Sequence, residues 1–176
     1  PLHIRSSFHN VEGTWVTDEN PEMESVMVSS ITSTMHESRI AVRDIPDRVG
    51  LVAQLFEPMA KANINVDMIV QTVNQEGMSN LAFTVAKEDM KKAMLLTEAG
   101  AKAIGAGRVE VAGDVSKVSA VGLGMRSHAG VAVRMFKTLA ELNINIQSIT
   151  TSEIKISVII DMARATDAVK ALHAAF

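Results

Sequence analysis

The stretch Asn63-Ile64-Asn65-Val66 returns eighty residues later as Asn143-Ile144-Asn145-Ile146. Each copy has a glycine thirteen residues before its first asparagine, Gly50 and Gly130, and Phe56/Phe136 and Ala60/Ala140 match at equal offsets. An amphipathic run precedes each copy and a β-branched run follows it. So many aligned identities over so short a span mark a tandem duplication, which predicts two like units of about 75 residues each, sizes that bury only a modest core alone.

The first repeat reads as strand Ile40–Ile45, a break at Pro46-Asp47-Arg48, and a helix whose face carries Val49, Val52, Phe56, Met59 and Ala60. Asp47 stands where an N-cap belongs, and Pro58 is expected to kink the helix or force a local adjustment. Val66–Val73 is a strand, joined through Asn74–Gly77 to its hairpin partner Ser79–Ala86. A second helix from Lys87 or Glu88 to about Lys102 leads to a last strand, Arg108–Ala112. The order is the β-α-β-β-α-β of a ferredoxin-like unit.

The second repeat has the same order: strand Lys117–Leu123, loop Gly124–Ala129, a helix face at Ala132, Met135, Phe136, Leu139 and Ala140, then strands Ile146–Ser152 and Lys155–Asp161 and helix Thr166–Phe176. Its final strand is missing, which would leave an unpaired edge. The β-prone Ser25–Ser33 belongs to neither repeat and suits the gap. The expected class is therefore α+β: two βαββαβ units, the first inserted into the second. Residues 38–113 form the first unit, and 25–37 plus 114–176 the second. Residues 1–24, with an alternating Leu2–Arg5, a polar stretch and a lone Trp15, read either as the end of another domain with its connector or as a partly ordered tail. The start at Pro1 suggests a piece of a longer or processed protein.

Composition excludes several functions. Net charge is −3 and aromatics make up 3% with no tyrosine, which offers nucleic acid neither electrostatic attraction nor stacking platforms. No apolar run reaches the ~18–20 residues of a membrane span, and no signal peptide opens the chain. The absence of cysteine rules out disulfides and thiolate metal sites and fits the cytoplasm. No nucleophile–base pair, carboxylate dyad or metal cluster is visible, so the chain is expected to be non-catalytic and free of cofactor or metal.

The candidate chemistry sits at the turns. Gly122–Gly130 has the wrong spacing for either nucleotide fingerprint. Ser127 could cap the following helix, and the helix-start amides could hold a small anion such as a carboxylate. Asp47–Gly50 stands at the same place in the first repeat. Asp47 could both cap and pair with an ammonium, while His128 reads as a surface or cap histidine. Asn63 and Asn143 suit left-handed C-caps; Asn65 and Asn145, where the strands begin, are turn chemistry or hydrogen-bonding arms.

Together, the paired turns Asp47–Gly50 and Ser127–Gly130, the two Asn-Ile-Asn stretches and the closing Thr151-Ser152-Glu153-Ile154 resemble ACT domains. Gly124–Ala132 and Ile144–Ile160 are similar, more narrowly, to the C-terminal regulatory region of the aspartate kinase family, and Leu2–Phe8 resembles the end of that family's catalytic domain. Ala129 departs from the proline usual beside the second-unit glycine. The resemblance implies a sensor for threonine, lysine or both, feeding back on aspartate phosphorylation by a kinase domain that uses ATP and Mg. It implies a homodimer through ACT units, with effector held between a first unit and a partner's second unit. On that basis Asp47, Arg48, Gly50, Val52, Asp67 and Gln71 would meet Asn143, Asn145, Ile146, Ser152 and Glu153. A pseudo-symmetric site would use Ser127, His128 and Gly130 with Asn63, Ile64, Asn65 and Val66. The rival expectation is a ferredoxin-like dimerisation module that binds no small molecule.

Overall fold

The computed structural model describes residues 1–16, 27–74, 76–126 and 129–176, with nothing stated of the Arg126 side chain. Its elements are β1 (Leu2–Ile4), β2 (Thr14–Val16), β3 (Ser30–Pro46), α1 (Leu51–Lys61), β4 (Val66–Val73), β5 (Met78–Ala86), α2 (Met90–Ala103), β6 (Val109–Val121), α3 (Val131–Glu141), β7 (Ser148–Thr151), β8 (Lys155–Asp161) and α4 (Ala165–Ala175). Short 3-10 turns precede α2 and α4, at Lys87–Asp89 and Met162–Arg164, and a third spans Leu123–Arg126. The strands β1 and β2 pair on their own, with the His3 and Trp15 rings stacked 3.9 Å apart.

The other six strands form one sheet in the order β4-β5-β3-β6-β8-β7. Two of its strands correct the sequence reading. Residues 30–33 of the expected strand 25–33 and the expected strand 40–45 belong to a single strand, β3, starting at Ser30, while residues 25 and 26 lie outside the described residues; likewise 108–112 and 117–123 merge into β6. Each long strand serves both units. The second half of β3 pairs with β5 and with Val109–Ala112, whereas its first half, Ser30–Thr34, pairs with Lys117–Val121. The strand position that the second repeat lacks is thus filled from before the first, and the first unit lies inserted in the second.

Three apolar clusters follow from this layout. Under α1 and α2 lie Ile40, Val42, Ile45, Leu55, Met59, Leu81 and Phe83; under α3 and α4 lie Val118, Ala120, Met135, Leu139, Val158, Ile160 and Leu172. Val28, ahead of β3, is buried in the second cluster. Burying side chains of this size is worth about 1.5–3 kcal/mol each. The third cluster is small: Met68 of β4 against Val115 and Ile159. It lies on the helix-free faces, which curl toward each other until the edge strands β4 and β7 come close.

The cap expected at Asp47 did not form as read. The N-cap of α1 is Gly50, left-handed at φ 89°, and no side chain caps the helix. Asp47 is therefore no cap: its amide donates to Gly77 O at 2.9 Å while its side chain faces solvent. Val49, expected on the buried face, is fully exposed ahead of the helix. The N-cap of α3 is Gly130, at φ 100°; Ser127, the expected cap, and His128 lie outside the described residues. Pro58 sits within α1, which runs through it uninterrupted. Gln75 of the Asn74–Gly77 connection is also outside the described residues, but Asn74 Oδ1 accepts from the Glu76 and Met78 amides.

Candidate functional site

The two Asn-Ile-Asn stretches are helix exits of one design. Asn63 and Asn143 are left-handed, at φ 57° and 55°. The Asn63 amide donates to Ala60 O and the Ile64 amide to Met59 O; Asn143 and Ile144 do the same to Ala140 O and Leu139 O. These are Schellman exits, in which two late carbonyls of the helix are satisfied by the two residues beyond the cap. Ile64 and Ile144, each 5% exposed, staple the exits into the two main cores. The asparagines on either side are then forced outward. Asn63, Asn65, Asn143 and Asn145 are all exposed, and their amide groups take no side-chain partner among the described residues.

Asn63, Ile64, Asn65 and Val66 line a depression of about 480 Å³ with Phe56, Met59, Ala60 and Ile69. The floor is apolar and the rim carries two amides, a common arrangement where a ligand or a chain docks. No residue of the second unit lines it. Ile146 is half-buried at the matching place in the second unit.

At the start of α1, Asp47, Arg48, Val49 and Gly50 are exposed. Arg48 N donates to Pro46 O and Leu51 N to Arg48 O. The amides of Val52 and Ala53, in the first helical turn, take no backbone partner among the described residues. Free amides at a positive helix end, beside an exposed carboxylate, can receive the carboxylate and ammonium of one zwitterion. Gln71 is exposed on β4. Neither this turn nor the Asn143–Ile146 arm lines the depression at Asn63–Val66.

A third place joins the units. Between β4 and the second unit lies a cleft of about 240 Å³ lined by Asp67, Met68, Ile69, Lys117, Thr150, Thr151, Ser152, Lys155 and Ser157. Two of the expected site residues, Asp67 and Ser152, meet here within one chain. The cleft's centre is Lys117, whose ammonium pairs with Asp67 and, at 3.4 Å, with Glu37. Burial pulls the Lys117 pKa down, but the hydrogen bonds and charges of Asp67 and Glu37 outweigh it and leave it raised. Ser152 N donates to Lys155 O, and the Ser119 and Ser157 hydroxyls bond at 2.8 Å. Glu153 is exposed. Lys117 and Glu37 were not anticipated, although a lysine in the apolar run Val115–Val121 and a glutamate in a β-prone stretch were the available signals. Among the described residues, no group of three or more His, Asp or Glu could hold a metal ion. No helix there is long and apolar enough to cross a membrane.

Comparison with known proteins places this geometry. The ACT domain family model matches residues 39–98 and 118–176. Aspartate kinase of Pseudomonas fluorescens is 45% identical over 179 residues, covering all of this chain and 43% of its own length. The chain thus spans less than half of the curated relatives it matches. Among solved structures, a chain of the aspartokinase alpha and beta subunits is 46% identical with a TM-score of 0.78, over 85% of this chain and 98% of its own. The ligand-free regulatory subunit of aspartate kinase from Thermus thermophilus is 36% identical with a TM-score of 0.79, over 86% and 99%. With two unit matches, full-length coverage of regulatory subunits and the strand exchange between units, this chain belongs to the ACT domain family, as the regulatory region of an aspartate kinase.

Proposed function

We propose that this chain senses threonine, lysine or both, and transmits their binding as feedback inhibition to an aspartate kinase domain that uses ATP and Mg in the cytoplasm. The chain pairs with a second copy through its ACT units. One chain's Asp47 takes the effector's ammonium, and the amides near Gly50 and Val52 take its carboxylate. Arg48 and Gln71 flank the effector side chain, while the partner copy closes the site with the arm formed by the same chain positions Asn143, Asn145 and Ile146. The pseudo-symmetric turn at Gly130, with Ser127 and His128 and the arm Asn63–Val66, makes a second site. Ser127 replaces Asp47 there, so the two sites differ in their hold on an ammonium. Residues 1–24 end the upstream domain, 38–113 make the first unit, and 25–37 with 114–176 make the second.

The observation that carries this reading is the pair of arms. Each presents exposed asparagine amides, unpartnered among the described residues, from a backbone corner fixed by a Schellman exit and a buried isoleucine. A backbone corner fixed in advance adds no ordering cost of its own when a ligand engages the side chains it carries. A ligand of 8–10 heavy atoms at ~0.6 kcal/mol per atom reaches about −5 to −6 kcal/mol, or roughly 0.05–0.2 mM, which suits a metabolite pool. Inhibition also requires that the effector favour one quaternary arrangement over another, a difference that a pocket shared by two chains supplies.

Thermal shift with threonine and lysine tests the reading. At a hundredfold excess over Kd, a ligand of the folded state adds about 2.7 kcal/mol, enough to raise the melting temperature by several degrees. Sedimentation with and without amino acid distinguishes an effector-linked dimer from an indifferent one. No shift with either amino acid, together with an unchanged dimer, would sink the proposal in favour of a plain dimerisation module.

A further inference from the structure

The two units meet through their helix-free sheet faces, and three observations bear on how firmly. The strands they share are interrupted where they cross from one unit to the other. The β3–β6 ladder breaks register between Thr34 and Glu37 and again between Ser38 and Arg39, and His36 in the gap is left-handed at φ 64°. Register breaks of this kind bend strands and remove ladder hydrogen bonds, leaving a place where a sheet flexes. Among the described residues, the buried apolar cluster across the faces is Met68, Val115 and Ile159, far smaller than either main core. Polar contacts cross the seam beside it: Arg39 Nε donates to Ser148 Oγ at 3.2 Å, and Lys117 joins Asp67 and Glu37.

Lys117 holds an unusual position in that seam. Its side chain is 16% exposed, Glu37 is 8% exposed, and Asp67 is 53% exposed. Glu37 Oε2 is buried and makes no hydrogen bond among the described residues, so that carboxylate depends on Lys117. One ammonium thus ties together the crossing strand, through Glu37, and the edge strand β4, through Asp67. Asp67 lies two residues beyond Asn65. Whatever moves β4 relative to the second unit must stretch the Lys117–Asp67 pair, and whatever breaks that pair frees β4.

We propose that Lys117 is a strap that holds the two units face to face, and that its release lets them pivot about the β3–β6 crossing near His36. The strap gives two discrete arrangements, paired and released, as a switch needs. It operates with or without a ligand, so it stands apart from the effector reading and its test uses none. The pivot also swings the Asn63–Asn65 arm, because β4 carries it.

The chain has no cysteine, so two introduced cysteines can be labelled without background. Glu98→Cys on α2 and Lys137→Cys on α3, both exposed on helices of different units, carry nitroxides for pulsed dipolar spectroscopy. The parent should give one narrow distance distribution, and Lys117→Arg should keep it. Lys117→Met should broaden it or add a second, longer population of at least a quarter of the molecules. Should Lys117→Met fail to fold, Asp67→Asn decides, since it cuts the strap at its exposed end and leaves Glu37 paired. It too should broaden the distribution. A distribution as narrow as the parent's in whichever of these variants is folded would overturn the strap.

Discussion

Asn63 and Asn143, eighty residues apart, adopt the same left-handed conformation within 2° in φ, at 57° and 55°. Each ends a helix by the same pair of backbone bonds and is followed by an isoleucine buried to the same extent. The duplicated backbone corner is the element on which both proposed sites are built. Its side chains face outward because the exit geometry spends their backbone groups on the helix and the isoleucine on the core.

The glycines that open α1 and α3 should respond alike to substitution. Gly50 and Gly130 are left-handed, and beyond the chain neighbours an added Cβ would meet no atom of the described residues within 4 Å at either. The cost of alanine is therefore backbone strain alone, about 1–2 kcal/mol at each. Urea unfolding of Gly50→Ala and Gly130→Ala should show equal losses in that range; a much larger loss at one would mean a packing role that the open space there contradicts.

Removing Lys117 leaves Glu37 buried without its counter-charge. Lys117→Met should destabilise by about 3 kcal/mol, because an uncompensated buried carboxylate is costly. Lys117→Met with Glu37→Gln should recover most of that loss, since the pair's net worth is small once both charges are gone. A double-mutant cycle by chemical denaturation reads the difference; no recovery in the double variant would mean that Glu37 is held by something other than Lys117.

The same pair has a pH signature. The raised pKa of Lys117 in the folded state, net of burial and set by Asp67 and Glu37, means its contribution is fully present below the unfolded lysine value of about 10.4. It is lost as pH rises through the folded value. The stability gap between the parent and Lys117→Met should stay constant from pH 7 to about 10 and narrow above it. Melting curves across that range check this; a gap that widens with alkalinity would have the wrong sign.

The strand that precedes the first unit should stabilise the second. Deleting residues 1–26 removes β1 and β2, whereas deleting 1–36 also removes buried Val28 and the Ser30–Thr34 pairing with Lys117–Val121. The longer deletion should cost about 3 kcal/mol more, from one to two apolar side chains lost from the core. Hydrogen exchange should localise the loss to β6, β8, α3 and α4. Exchange that rises in α1 and α2 instead would contradict the strand exchange between units.

Much of this was legible from local chemistry. The repeat, the helix faces through Val52, Phe56 and Met59 and through Met135 and Leu139, the asparagine exits and the missing strand all show in the sequence pattern, although Leu55, fully buried on α1, was not in the face as read and Ala60 is exposed. The strand continuity was not. Ser33-Thr34-Met35-His36 is exposed and polar but for Met35, so nothing in its pattern announces that β3 runs on to Ile40; its partner, Lys117–Val115, is supplied by the fold. Asp47 misled for a related reason. An aspartate ahead of a helix commonly caps it, but Gly50 took the left-handed position and moved the start to Leu51. That freed the Asp47 carboxylate. The cleft around Lys117 was invisible because it joins faces of two units, and no spacing in one repeat encodes it.

Isothermal titration of threonine and of lysine into this chain, repeated with Asp47→Ala, reads the amino-acid site itself. Saturable binding of at least one of them is expected at ~0.1 mM, with the alanine variant weaker by tenfold or more. Heats that stay flat for both amino acids up to about 10 mM, or an Asp47→Ala variant that binds as tightly as the parent, would contradict it.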